Sequence, residues 1–277
     1  MSVRRPRERS VRPRPLHVRL AALVAAGTFA VAALAGCSGA GSPTPSATAA
    51  PVTLTVFAAA SLSGPFDEIG TAFGAAHPGV TVRYSYGGSS DLVSQLASGA
   101  PADVLATADE RTMQQAKDKS LVPESALFAT NQLAILVAPK NPLGITGAKD
   151  LTRSDLKLVV CAPQVPCGAA TDRTMQAAGI TIKPVSEESN VTDAAGKVTS
   201  GQADAAVVYT TDVAKAEAAG TGTGVPLGVD QTPNRYPIGV TATGASGPNT
   251  ATAEAYVAYV TAAEGQAVLA KAGFGKP

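Results

Sequence analysis

Residues 80–110 read VTVRYSYGGSSDLVSQLASGAPADVLATADE, and the fold turns on how this stretch is parsed. VTVRYSY alternates like a strand with one buried face, and SDLVSQLASG has the amphipathic spacing of a helix. ADVLAT (102–107) returns as a strand, and ADERTMQQAKDK (108–119) opens a further helix. Between the first strand and its helix stand two glycines and two serines. That joint is either a turn with a helix cap or a cradle for an anion.

Working outward, the same alternation continues in both directions. Upstream, VTLTVF (52–57) is a strand, and residues 61–77 carry Leu62, Phe66, Ile69 and Phe73 at helical spacing. Downstream, strands fall at 131–139, 156–163 and 203–210, and helices at 167–179 and 190–201. A strand at 235–240 and helices across 249–273 close the chain. Short apolar strands separated by helices predict an α/β fold, mostly parallel, with helices on both faces of the sheet.

What stands at the strand-to-helix joints recurs. Ser61 follows FAAA, Ser89 follows YGG, Cys167 follows QVP, and Val191 follows Asn190. In open α/β sheets such joints line the crevice at the strand ends, and each leaves main-chain N–H groups pointing out of a helix start. Helix starts favour anions. Capping accounts for any one joint alone, because Ser and Asn are common caps. Gly87 and Gly88 add that the backbone there can approach a ligand closely.

The first residues belong to a different argument. Seven arginines precede residue 20, LAALVAAGTFAVAALAG (20–36) is apolar, and Cys37 follows Leu-Ala-Gly. Residues 1–36 read as an export signal, and the ending resembles the lipobox of bacterial lipoproteins, in which the cysteine takes lipid and becomes the first mature residue. A spanning helix is the other reading, but the run is somewhat short of the roughly 20 apolar residues a bilayer asks for. RRPR (4–7) is too loose to distinguish one export route from another. Residues 37–51, rich in Ser, Pro, Thr, Gly and Ala, read as a lipidated cysteine and flexible tether.

Removing the signal takes away seven arginines and Glu8, which leaves 15 basic and 20 acidic residues and a net charge near −5. That balance argues against a nucleic-acid partner. Of the three cysteines, Cys161 and Cys167 remain as a pair in an oxidising compartment. A disulfide across so short a loop contributes on the order of 2 kcal/mol, and two free buried thiols are the alternative.

Taken together, TVFAAASL (55–62), YGGSSDLVSQLASGAPADVLATADERTM (86–113), LAILVAPKNP (133–142), QVPCG (164–168) and AVVYTTDV (206–213) resemble the molybdate-binding proteins of ABC transporters. The resemblance covers essentially the whole mature domain, in order. It implies a two-lobed, type II periplasmic-binding-protein-like fold whose chain crosses between lobes twice. Lobe 1 would take residues 52–131 plus 234–277, and lobe 2 residues 132–233. The family holds its tetrahedral dianion with two serines, two further amides and a tyrosine. Matched motif to motif, Ser61 and Ser89 would each offer hydroxyl and amide, Cys167 and Val191 their N–H groups, and Tyr209 its O–H. Cys167 stands where a small apolar residue is expected, so a disulfide there would sit in the binding wall.

The resemblance further implies import of molybdate, with tungstate nearly isosteric, through an ABC permease. It also implies a monomer lipid-anchored to the outer face of the cell membrane, with no cofactor and no catalysis. No lysine or arginine lies in the matched motif cores. Neutral donors suit a fully deprotonated oxyanion, and selection would rest on cavity size.

Rival functions fare as follows. A serine hydrolase needs a histidine, and the mature chain has one, His77, read as the end of the first helix and without a GxSxG elbow. Metal binders want clustered His and carboxylates. Sugar binders want aromatic faces, and tryptophan is absent. Ferric-iron binders often use neighbouring tyrosines, and no two of the six are adjacent in sequence. Amino-acid binders want a charged clamp, which the sequence leaves open. Tyr209 also reads as a packing residue and Met113 as core. An adhesive surface lipoprotein would share the anchor, and a sulfate- or phosphate-binding protein of the same fold is the foremost alternative.

Overall fold

The structure is a computed structural model that describes residues 51–277. The predicted export signal, the lipidation at Cys37 and all but the last residue of the tether lie outside the described residues. Ten strands form two five-stranded sheets.

The first sheet has the order β2-β1-β3-β10-β4, from β1 (Val52–Ala59), β2 (Val80–Gly87), β3 (Val104–Ala106), β4 (Ala126–Asn131) and β10 (Asn234–Val240). The second runs β7-β6-β8-β5-β9, from β5 (Leu133–Val137), β6 (Leu158–Cys161), β7 (Ser186–Glu188), β8 (Ala205–Tyr209) and β9 (Thr223–Pro226). Nine α-helices flank them among the described residues: α1 (Ser63–Ala76), α2 (Ser89–Ala97), α3 (Glu110–Asp118), α4 (Pro166–Ala177), α5 (Val191–Thr199), α6 (Thr210–Ala218), α7 (Ala242–Ser246), α8 (Thr250–Thr261) and α9 (Ala263–Lys271).

Each sheet is the core of one lobe of a two-lobed α/β fold. The chain leaves the first sheet at Asn131, enters the second at Leu133, and returns between Pro226 and Asn234. The sheets are mixed rather than mostly parallel. Strands β1, β2 and β3 are parallel, as are β6, β7 and β8, and all of these but β7 are strands the strand-helix alternation reveals. Around the crossings β10 runs antiparallel to β3 and β4, and β5 antiparallel to β8 and β9. A strand that carries the chain directly between lobes has no crossover helix to bring it back in the same direction.

Local sequence explains where the elements begin and end. The buried face of α1 is Phe66, Ile69 and Phe73, the i, i+3, i+7 stripe, and the helix stops at His77 before Pro78. Phe66 packs against Phe128 at 5.8 Å, and Phe73 meets Tyr256 of α8 edge-on at 5.3 Å, so the closing helices fold back onto the first lobe. Phe66 and Phe73 are fully buried, and truncating either to alanine would cost about 3–5 kcal/mol. Met113 is likewise buried. Strands β5 and β8 are apolar throughout and covered on both faces.

Candidate functional site

Four helix starts converge between the lobes. The 3-10 turn Ala60–Leu62 leads into α1, α2 begins at Ser89 after its cap Gly88, α4 begins at Pro166 after Val165, and α5 begins at Val191 after Asn190. Asp193 N–H is satisfied by the Asn190 side chain at 3.0 Å. The other three starts carry no side-chain cap, so their first N–H groups face outward.

The serine hydroxyls therefore do something other than cap. Ser89 Oγ accepts from Ala108 N–H at 3.0 Å, and Ser61 Oγ lies 3.1 Å from the Tyr236 hydroxyl. Ser89 is buried, and with an incoming bond occupying its oxygen, its own hydrogen is available to an acceptor.

These starts line a narrow, partly open cavity of about 10 Å³. Ser61, Ser89, Cys167, Val191 and Tyr209, the five positions matched in the sequence, all line it, beside Gly88, Ala108, Val165 and Asn190. None of its lining residues carries a charge. Such a wall offers amides and hydroxyls to an acceptor-rich guest and repels no anion.

The two lobes meet around this cavity. Gly88 fits only because it lacks a side chain: a β-carbon there would run into the Ser189 carbonyl of the other lobe. The Gln164 carbonyl accepts from Ser90 Oγ at 2.6 Å and from Arg111 Nη2 at 2.8 Å. A larger cleft, about 420 Å³, opens beside the cavity and shares Ala60 and Ser61 with it. Its wall holds Glu68, Asp212, Lys215 and Lys271, with Lys271 paired to Glu68 at 3.0 Å. Charges of both signs suit an approach more than a seat for an anion.

Tyr209, at the end of β8, is buried, and burial first, with nearby carboxylates adding to it, pushes its phenol well above the ordinary range. The phenol is a neutral donor rather than a phenolate. Asp212, three residues on, accepts from Tyr209 N–H at 3.2 Å. Burial raises its carboxyl to about 7, opposed by that N–H and by Lys215.

Cys161 at the end of β6 and Cys167 in the first turn of α4 are joined by a disulfide, with α-carbons 5.7 Å apart. Cys167 lines the cavity and Cys161 does not, and the Cys167 N–H sits in the first turn of α4. His77 stacks on Phe73 at 4.1 Å at the end of α1 and is not part of the cavity.

Sequence reasoning missed Tyr236, Asn234 and Ala108. Tyr236 stands beside Tyr209, ring centroids 6.0 Å apart, although 26 residues separate them in the chain. Adjacency in sequence was therefore no test for a tyrosine pair. Burial keeps the Tyr236 phenol protonated too, against the opposing bond to Ser61. No signal short of the β10 register could have placed Asn234 and Tyr236 at the site.

Comparison with known proteins bears on the whole domain. Residues 54–275 match the family model described as bacterial extracellular solute-binding protein. The chain is 42% identical to the molybdate-binding protein ModA of Mycobacterium tuberculosis over 259 residues, 93% of this chain and 96% of that one. Among solved structures, the periplasmic molybdate-binding protein of Azotobacter vinelandii matches with a TM-score of 0.69 at 22% identity, over 81% of this chain and 99% of the other. The sulfate-binding protein SubI of Mycobacterium tuberculosis matches with a TM-score of 0.66, also at 22% identity, over 80% and 86%. The structural likenesses establish the fold and do not choose between oxyanions.

Proposed function

The chain belongs to the bacterial extracellular solute-binding proteins, and on that premise we propose that it captures molybdate outside the cytoplasm and delivers it to the permease of an ABC transporter for import. The reading is supported by 42% identity across nearly the full length of a molybdate-binding relative. The observation that carries it is the meeting of two serines, two helix-start amides and a buried tyrosine in one uncharged cavity.

In this reading Ser61 and Ser89 each give hydroxyl and amide, Cys167 and Val191 give N–H groups, and Tyr209 gives its O–H. Lobe 1 comprises residues 52–131 and 234–277, and lobe 2 residues 132–233. Two residues from one lobe and three from the other make the anion the tie that holds the lobes together. Tungstate, nearly isosteric, binds as well, and smaller sulfate binds poorly because fixed dipoles cannot close on it. The chain performs no catalysis. It is a monomer, anchored by lipid on Cys37 to the outer face of the membrane after removal of residues 1–36.

Calorimetric titration of the purified chain with molybdate tests the assignment. Ser61→Ala with Ser89→Ala removes two charge-assisted bonds and should weaken binding by about 3 kcal/mol or more, over 100-fold. Unaltered affinity in that double variant contradicts the pocket.

A further inference from the structure

Asn131 and Asn234 are register partners in the ladder between β4 and β10, at the two points where the chain changes lobe, and both are buried. A buried primary amide needs partners at both of its ends. Asn131 finds them at the start of α6: its Nδ2 donates to Thr211 Oγ1 at 2.8 Å, and its Oδ1 accepts from Thr210 Oγ1 at 3.0 Å. It also accepts from the adjacent Gln132 N–H.

Asn234 reaches further. Its Nδ2 donates to the Tyr209 hydroxyl at 2.8 Å, to the Ala108 carbonyl at 3.1 Å and to the Pro166 carbonyl at 3.4 Å, while its Oδ1 accepts from Arg173 Nη2 at 3.2 Å. Chemistry fixes which end is which. Two partners are carbonyls, which only accept, and the last is a guanidinium, which only donates.

Three of these partners line the anion cavity. Tyr209 supplies its hydroxyl, the Ala108 N–H holds Ser89 Oγ, and Pro166 precedes Cys167 in the first turn of α4. A phenol has a single hydrogen. With the Tyr209 oxygen already accepting from Asn234, that hydrogen is free for another acceptor, and Tyr209 is one of the residues that line the cavity.

We propose that Asn234 is a positioning residue for the anion site, which aims the Tyr209 proton into the cavity and, through Ala108 and Pro166, locks donors of the two lobes into one closed arrangement. The inference rests on the anion-binding reading above and goes beyond it, because Asn234 is not among the cavity's lining residues. From the returning crossing strand this one side chain touches both lobes, at Ala108 and at Pro166.

Asn234→Asp is the informative change. An ionised carboxylate accepts the Tyr209 proton and turns it from the cavity, and it has no hydrogen for Ala108 or Pro166. A protonated one restores a donor. Other titrating or charged groups surround the position: Arg173 on α4, Asp109 next to Ala108, Arg235 on the same strand, Tyr209 and Tyr236, and Asp212 on α6. The wild-type profile measured at each pH subtracts their part.

Molybdate affinity should fall 100-fold or more at pH 8 in Asn234→Asp and recover at least tenfold by pH 6. In a Tyr209→Phe background the same substitution should cost less than tenfold at pH 8, because the proton it misdirects is gone. A penalty that is absent, independent of pH, or equal in the two backgrounds overturns the role. If Asn234→Asp does not fold, judged by its unliganded circular dichroism, Asn234→Ala replaces it. The expected loss is then tenfold or more in the wild-type background and less than threefold with Tyr209→Phe, and equal losses overturn the role. A wild-type chain that does not bind molybdate overturns the site reading itself, whereas wild-type binding with an indifferent Asn234 overturns the positioning role alone.

Discussion

Asp212 shows how one side chain near the site sets a condition on the whole domain. It is only partly exposed at the start of α6, burial raises its carboxyl to about 7, and its partner is the N–H of Tyr209. In the unfolded chain the same carboxyl titrates near its ordinary value of about 3.9. Between those two values the folded state holds the proton and the unfolded state does not, so the contribution of Asp212 to stability is greatest below pH 4 and declines as pH rises toward 7. Asp212→Asn keeps an acceptor for Tyr209 N–H and removes the titration. Denaturant unfolding of wild type and variant from pH 4 to pH 8 should show the variant gaining relative to wild type, on the order of 2 kcal/mol across the window. Parallel curves would mean that the carboxyl is not held neutral. At this scale the sequence exposed the residues at the front of motifs, such as Ser89 behind its glycines. Asn234 and Tyr236 carried no local mark, because their roles come from partners more than 20 residues away.

The loop between β6 and α4 is the element in which this chain builds its site with a covalent strut. Five residues separate Cys161 from Cys167, and the Gln164 carbonyl among them is what the first lobe grips through Ser90 and Arg111. Gly168 completes the turn, since a side chain there would run into the Ala162 carbonyl. Replacing both cysteines by serine should lower unfolding stability by about 2 kcal/mol through the closed-loop entropy. In the proposed site Cys167 acts through its N–H, so molybdate affinity should stay within about tenfold. Unfolding curves and titrations of the same variant check both halves, and unchanged stability would contradict the strut. Elements of this kind, a strand ended by Gly, Pro or Ser before an amphipathic run, were legible in the sequence. Strand β4 was not, because its apolar residues run through Asn131 and Gln132 into β5 with no Gly or Pro to mark the lobe crossing. Strand β7, three polar residues on a sheet edge, and α6, which follows Tyr209 without a conventional cap residue, were invisible for similar reasons.

At the scale of the molecule, two mixed sheets joined by two crossings form jaws, and the described structure has them closed, with Gly88 against Ser189 and Asn234 touching both lobes. A family of this architecture accommodates guests of several chemistries, so the fold by itself does not name one. What distinguishes this chain is a cavity lined by uncharged donors at four helix starts. An anion that completes such a cavity favours the closed state and must raise its stability by linkage. The central claim is therefore tested most directly by thermal unfolding of the purified chain with molybdate, tungstate, sulfate or phosphate at matched ionic strength. At 100 times its dissociation constant, a bound anion adds about 2.7 kcal/mol, which for a domain of this size raises the midpoint by about 5–10 °C. The account predicts that rise with molybdate and tungstate and none with sulfate or phosphate. A rise confined to sulfate or phosphate, or no rise with any of the four, would contradict it.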